Sequence, residues 1–205
     1  MTKLAIDNKP SYNGGLTREQ FLYYENRIVA KLILQGKTFD EILNECTEEN
    51  LFQYPSKVSY KLITTACYKR LTFINDNRLV ELVANANTAT SKLALLYAMM
   101  CQNLVVRDFM IDVIGEKYQS RVLNFDKTDV NHFFVQLMGR VDTVSTWSDA
   151  TIGKIKSVLI KCLAEAGYLT TIRSTTLNPI TADEGLIELI KDRGEYEFLP
   201  AFNEV

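Results

Sequence analysis

The sequence predicts a mostly α protein, a multi-helix bundle followed by a winged-helix-like part of one helix and a short β-hairpin. Three observations predict it. The four prolines (Pro10, Pro55, Pro179, Pro200) all fall at joints, so the stretches between them can run as uninterrupted helices. Apolar residues recur every three or four positions, as in Tyr60, Ile63, Cys67, Leu71 and Ile74, which is the spacing of one buried helix face. Capping pairs open several segments, Thr17 with Gln20 and Thr38 with Glu41 among them, because a side-chain oxygen satisfies a backbone N–H that the first turn leaves open.

Residues 1–15 read as an arm ending in Gly14-Gly15. A helix from Thr17 to about Gln35 stops at Gly36, and a shorter one runs from Phe39 to about Cys46. A third begins near Ser56, and two or three more fill Arg78 to Tyr118 with a break at Asn85 to Thr88. Asp126 opens another helix, carrying Phe133, Phe134 and Leu137. After Trp147-Ser148, a clean stripe of Ile152, Ile155, Val158, Leu159, Cys162, Leu163 and Ala166 predicts a helix ending at Gly167. The β-prone Tyr168 to Arg173 and then Ser174 to Leu177 predict the hairpin of a wing. A last helix, Ala182 to about Lys191, leads to an extended tail, Glu195 to Phe202. The expected division is an arm (1–15), a helical bundle (16–145) and a winged-helix-like part with an acidic tail (146–205).

The chain has 205 residues, of which 47% are hydrophobic and 23% charged, enough to bury a core and too apolar for a disordered chain. Its net charge of −2 excludes a uniform basic field, though not local patches. Cys46, Cys67, Cys101 and Cys162 are scattered, without a CxxC pair, so they read as small apolar side chains in a reducing, cytoplasmic setting. The most apolar stretch, Leu93 to Val106, is shorter than the about 20 residues a bilayer span needs, so it reads as a core helix and no membrane partner is expected.

Nothing marks a catalytic centre. His132 is the one histidine, and no GxGxxG, phosphate-cradling loop or HExxH is present, so no enzyme activity, cofactor, metal or small-molecule substrate is expected. Asp108, Asp112 and Glu116 recur on one helix face. Three carboxylates on one helix cannot surround an ion, and pairing with nearby arginines is the better reading. Glu25 falls on the apolar stripe of Phe21, Leu22, Ile28, Val29 and Leu32, where a carboxylate needs a partner. Arg70 and Arg107 are the arginines expected to lock it in an ion pair.

Charge is unevenly spread. Between Ser56 and Arg78 five bases, including Lys57, Lys61 and Lys69, face the single acid Asp76. Between Trp147 and Arg173, Lys154, Lys156, Lys161 and Arg173 face Asp149 and Glu165. From Ser174 onward two bases face seven acids. Lys154, Ser157 and Lys161 share the helix side opposite the apolar stripe, next to the Thr-rich segment, and such side chains contact phosphates.

Short phrases along nearly the whole chain resemble the BrxA family of bacterial BREX (bacteriophage exclusion) defence systems. They include Gly15-Leu16, Arg27-Ile28-Val29-Ala30, Glu49-Asn50-Leu51-Phe52-Gln53 and Arg70-Leu71. Further along come Leu95-Leu96-Tyr97-Ala98, Arg107-Asp108-Phe109, Trp147-Ser148, Leu163-Ala164-Glu165-Ala166-Gly167-Tyr168-Leu169 and Leu199-Pro200-Ala201-Phe202. The resemblance implies a bundle like that of the NusB antitermination factor with winged-helix-like parts, DNA binding, and service beside other BREX components. It supplies no catalytic residues. The expectation is therefore a non-enzymatic protein that binds double-stranded DNA through Lys154, Lys156, Lys161 and Arg173, extended by Lys57, Lys61 and Lys69. The alternative is an adaptor that touches only proteins, docking by its acidic tail or by Phe198 to Phe202.

Overall fold

The computed structural model, which describes residues 9–56 and 58–204, shows eleven helices, several of which begin where a local side chain satisfies a first-turn N–H group. They are α1 (Tyr23–Leu34), α2 (Phe39–Glu48), α3 (Val58–Thr72), α4 (Asn77–Asn85), α5 (Thr88–Gln102), α6 (Leu104–Phe109), α7 (Glu116–Gln119), α8 (Lys127–Arg140), α9 (Asp142–Ser145), α10 (Asp149–Glu165) and α11 (Glu184–Asp192). The Thr38–Glu41 capping box opens α2 as expected, and Asp126 with Asp129 makes a second box at α8. No extended sheet forms among the described residues, which are mostly helical.

The chain makes two compact units. One comprises residues 9–10 and 22–102, the other residues 11–21 and 103–204. The expected boundary between 145 and 146 falls inside the second unit.

In the first unit the apolar stretch becomes α5, whose residues Leu93 to Met100 are no more than 3% exposed, with α1, α3 and α4 packed against it. The Arg27 guanidinium joins α1 to the end of α4 by donating to the carbonyls of Ala84 and Ala86 at 3.1 and 3.2 Å. Those carbonyls belong to the last turn and its cap, which has no further helical N–H to accept. No helix among the described residues is long and apolar enough to cross a membrane.

The capping pair Thr17–Gln20 does not start a helix. Asn13 accepts from the Gly15 N–H at 3.1 Å and the Thr17 hydroxyl donates to the Gly14 carbonyl at 2.9 Å, which closes a single 3₁₀ turn, Gly14–Thr17. The chain then leaves the second unit for the first between Phe21 and Leu22, and Leu22 takes a left-handed φ of 52°. A helix cannot run through that reversal, so α1 begins only at Tyr23.

In the second unit, α6 leads into a π-helical turn, Met110–Gly115, that continues as α7. A 3₁₀ helix, Tyr196–Phe202, packs on this turn at Gly115, where a Cβ would lie 3.2 Å from Pro200 Cβ and 3.3 Å from the Ala201 nitrogen. The segment expected as an extended tail is thus wound and inserted: Phe198, Leu199, Ala201 and Phe202 are buried, and apolar side chains of this density do not stay in water. The α10 stripe is buried as its spacing predicts.

The hairpin expected at 168–177 does not form. Ser174 donates its backbone N–H to the Thr171 carbonyl at 3.0 Å and accepts from the Thr171 N–H at 3.0 Å through its hydroxyl, closing a tight turn. Asn178 closes the loop by donating to the carbonyls of Tyr168 and Gly167, each at 2.8 Å. Residues 175–177 pair instead with 123–125, through Phe125 N–H to Thr175 O at 2.9 Å and Leu177 N–H to Leu123 O at 2.8 Å. One antiparallel bridge, Asn124 with Thr176, is all that results, so α10 has no wing of its own.

Candidate nucleic-acid interface

Helices α8 and α10 lie side by side in the second unit. Lys156 on α10 donates to the Asn131 side-chain oxygen on α8 at 2.9 Å, and its ammonium lies 5.4 Å from the centre of the Phe134 ring. One turn along each helix in opposite directions come Ile160 and Lys127. Both line a cavity of about 340 Å³, together with Phe125, Thr128, Ile172, Arg173, Ser174 and Thr175. The pairing of 123–125 with 175–177 is what carries the Arg173 turn to the start of α8.

The result is one continuous strip, Lys156 with Asn131, then Lys127 with Thr128, then Arg173 with Ser174 and Thr175. Its floor is apolar, from Phe125, Ile160 and Ile172. Lys127 and Arg173 are exposed. The Thr171–Ser174 turn holds the backbone beside Arg173, whose own N–H donates to the Thr171 hydroxyl oxygen at 3.2 Å. The nearby acid, Asp126, caps α8: the hydroxyl and backbone N–H of Thr128 hold its carboxyl below the usual range. Asp129 is engaged by Lys117 at 2.9 Å. Lys127 and Arg173 therefore line the cavity with three hydroxyls and one carboxylate that is already hydrogen-bonded, and Lys156 lies one turn further along α10, a set of groups suited to phosphate oxygens.

Among the residues expected to contact DNA, Lys154 and Lys161 are exposed on α10, two turns apart on the side away from its buried stripe. Lys156 is half-buried against α8, and Arg173 is brought to the same strip. Lys61 (exposed) and Lys69 (half-buried) lie on α3 in the first unit, and Lys57 lies outside the described residues. Sequence reasoning missed Lys127, Thr128 and Asn131. A signal was present: a lysine in the first turn of a helix opposes the helix dipole, which asks for an anion beside it.

Two of the three acids on the stripe, Asp108 and Asp112, form ion pairs, and Glu116 is exposed. Arg140 of α8 reaches both Asp112, at 2.6 Å, and Asp108, at 3.4 Å, and its charge is favoured above all by the Asp112 hydrogen bond. The Tyr12 hydroxyl also donates to Asp108 at 2.5 Å, and burial with that bond pushes the phenol up to about 12. Among the described residues no group of three or more His, Cys, Asp or Glu could hold a metal ion. His132 is exposed on α8, and all four cysteines are buried thiols that form no disulfide.

The ion pair expected for Glu25 takes another form. Glu25 is half-buried and accepts from the Tyr54 hydroxyl, which stands in the loop after α2. Arg107 is instead paired with Asp108 at 3.3 Å, in the other unit. A phenol brought in by a loop satisfies the carboxylate with less desolvation than a second buried charge would need. Arg70 is buried on α3, at 2% exposure.

Known proteins place the chain. Residues 10–194 match the protein family described as BrxA. A BREX protein BrxA of Bacillus cereus is 28% identical over 77% of this chain and 78% of its own length. One of Escherichia coli is 25% identical over 85% and 82%, and one of Paramagnetospirillum magneticum 21% identical over 91% and 94%. A crystal structure of an uncharacterized protein from Magnetospirillum magneticum shares the fold, with a TM-score of 0.77 and 18% identity over 94% of this chain and 98% of that one. The family match covers most of the chain, and the chain belongs to the BrxA family.

Proposed function

We propose that this protein is a non-enzymatic, cytoplasmic component of a BREX phage-defence system, and that it binds duplex DNA mainly through phosphates. The observation that carries the reading is the α8–α10 strip, where Lys127, Lys156 and Arg173 stand with the hydroxyls of Thr128, Ser174 and Thr175. Lys154 and Lys161, exposed on another side of α10, add positive charge to the same helix. Charge attraction of this kind reads the backbone rather than the bases, so it works on any sequence. Lys57, Lys61 and Lys69 are a secondary candidate in the first unit. The names of the relatives supply the BREX setting and, with it, other BREX components as partners.

The adaptor reading is weaker. Of its two docking elements, Phe198 to Phe202 is core rather than free surface, which leaves the acidic tail.

The test is a salt titration of binding to duplexes of unrelated sequence. Affinity should fall linearly on a log–log plot, by about 0.9 per phosphate neutralised, and be alike for all sequences. Binding that ignores salt, or that is absent near physiological salt, overturns the reading. Incubation with magnesium or a methyl donor should leave the DNA unchanged.

A further inference from the structure

A second concave site lies in the first unit, and its chemistry is opposite in sign. Tyr24, Glu25 and Ile28 of α1 face Leu51, Phe52 and Gln53 of the loop after α2 across a cavity of about 340 Å³. We propose that this pocket binds an arginine side chain presented by a partner protein.

The loop wall is built before any ligand arrives. Phe52 stacks on Tyr60, with ring centres 5.2 Å apart and planes within 3°. The Tyr60 hydroxyl in turn accepts from the Tyr54 N–H at 3.2 Å and donates to the Asn50 side chain. Asn50 and Gln53 hold left-handed φ values of 50° and 55°, a tight course that those bonds maintain. Tyr54 then fixes Glu25 through its hydroxyl. A carboxylate offers about four lone-pair sites and Tyr54 uses one, so Glu25 can accept from a cation as well.

The remaining features select the ligand. Tyr24 is 77% exposed, an aromatic face left in water beside a carboxylate. A guanidinium satisfies both at once, lying flat on the ring while it donates to the acid, whereas an ammonium cannot stack. Ile28, Leu51 and Phe52 supply an apolar wall for the three methylenes of the arginine stem. Glu48 and Glu49, just before the loop, add negative charge, so phosphate is repelled and a basic segment is attracted. The site is therefore independent of the DNA reading.

An NMR titration with the capped pentapeptide Gly-Ala-Arg-Leu-Gly tests it. Saturable shifts are expected at the amides of Tyr24, Glu25 and Gln53. Replacing the arginine by citrulline, which keeps the shape and removes the charge, should weaken binding by at least about tenfold. Tyr24→Ala and Glu25→Gln should each weaken it by at least about fivefold while the rest of the spectrum stays folded. Shifts that do not saturate, or that persist equally with citrulline or in both variants, overturn the proposal. So does duplex DNA moving the same three resonances, which would assign the pocket to nucleic acid.

Discussion

Lys156 donates to Asn131 at 2.9 Å while its ammonium rests 5.4 Å from the centre of the Phe134 ring, so a residue expected only as a phosphate contact also joins α10 to α8. Lys156→Ala should lose both roles, lowering stability by about 1 kcal/mol and weakening DNA binding. Lys154→Ala with Lys161→Ala should leave the melting temperature unchanged, because both side chains are exposed, and flatten the salt slope by about one to two units. Thermal melts run beside the salt titration separate the two cases.

Lys127 and Arg173 meet at one cavity although they lie far apart along the chain. Their joint replacement by alanine should weaken binding to all duplexes alike, by about as much as Lys154 with Lys161. The control pair Lys191 and Arg193 lies in the acidic C-terminal part, and Arg193 is already paired with Glu195 at 2.9 Å, so its loss should matter little. Equal losses from all pairs would mean diffuse charge attraction and no defined face.

Asp108 collects Tyr12, Arg107 and Arg140 at only 9% exposure. Asp108→Ala should cost about 1–3 kcal/mol in chemical denaturation, since Tyr12 and Arg107 lose their partner while Arg140 keeps Asp112. Tyr12 adds a pH signature. Its phenol is raised from 10.0 to about 12 in the folded protein, so the proton is held more tightly there than in the unfolded chain. The stabilisation is complete below about pH 10 and is lost as pH climbs through about 12. Tyr12→Phe should reduce the alkaline fall in the denaturation midpoint relative to wild type. Parallel curves for the two proteins would mean that the bond is absent in solution.

Gly115 has no room for a methyl group, with Pro200 Cβ at 3.2 Å and the Ala201 nitrogen at 3.3 Å from the position a Cβ would take. Gly115→Ala should destabilise by about 1–3 kcal/mol despite alanine's better helix propensity, because backbone must move to admit it. Limited proteolysis should show the C-terminal 3₁₀ helix released first. Gly153→Ala, which meets nothing within 4 Å at an exposed position of α10, is the contrasting substitution and should stabilise by a few tenths to about 1 kcal/mol.

What the sequence alone determined is what neighbours along the chain decide. The caps at Thr38 and Asp126, the α10 stripe from Ile152 to Ala166 and the buried run of α5 are all visible there, because capping and amphipathic spacing act within one or two turns. The resemblance to the BrxA family was legible there too, as a likeness of short phrases along the chain. Tertiary structure decided the rest. The Thr17 capping pair lost to a chain that must change units at Leu22, and residues 175–177 found their hydrogen bonds on 123–125 rather than in a local hairpin. Lys127 joined Arg173, and Glu25 met Tyr54, only once distant segments had packed. A backbone N–H or a carboxylate needs a partner, but its own sequence neighbourhood does not say which one. That choice falls to whichever partner the buried apolar faces bring within reach.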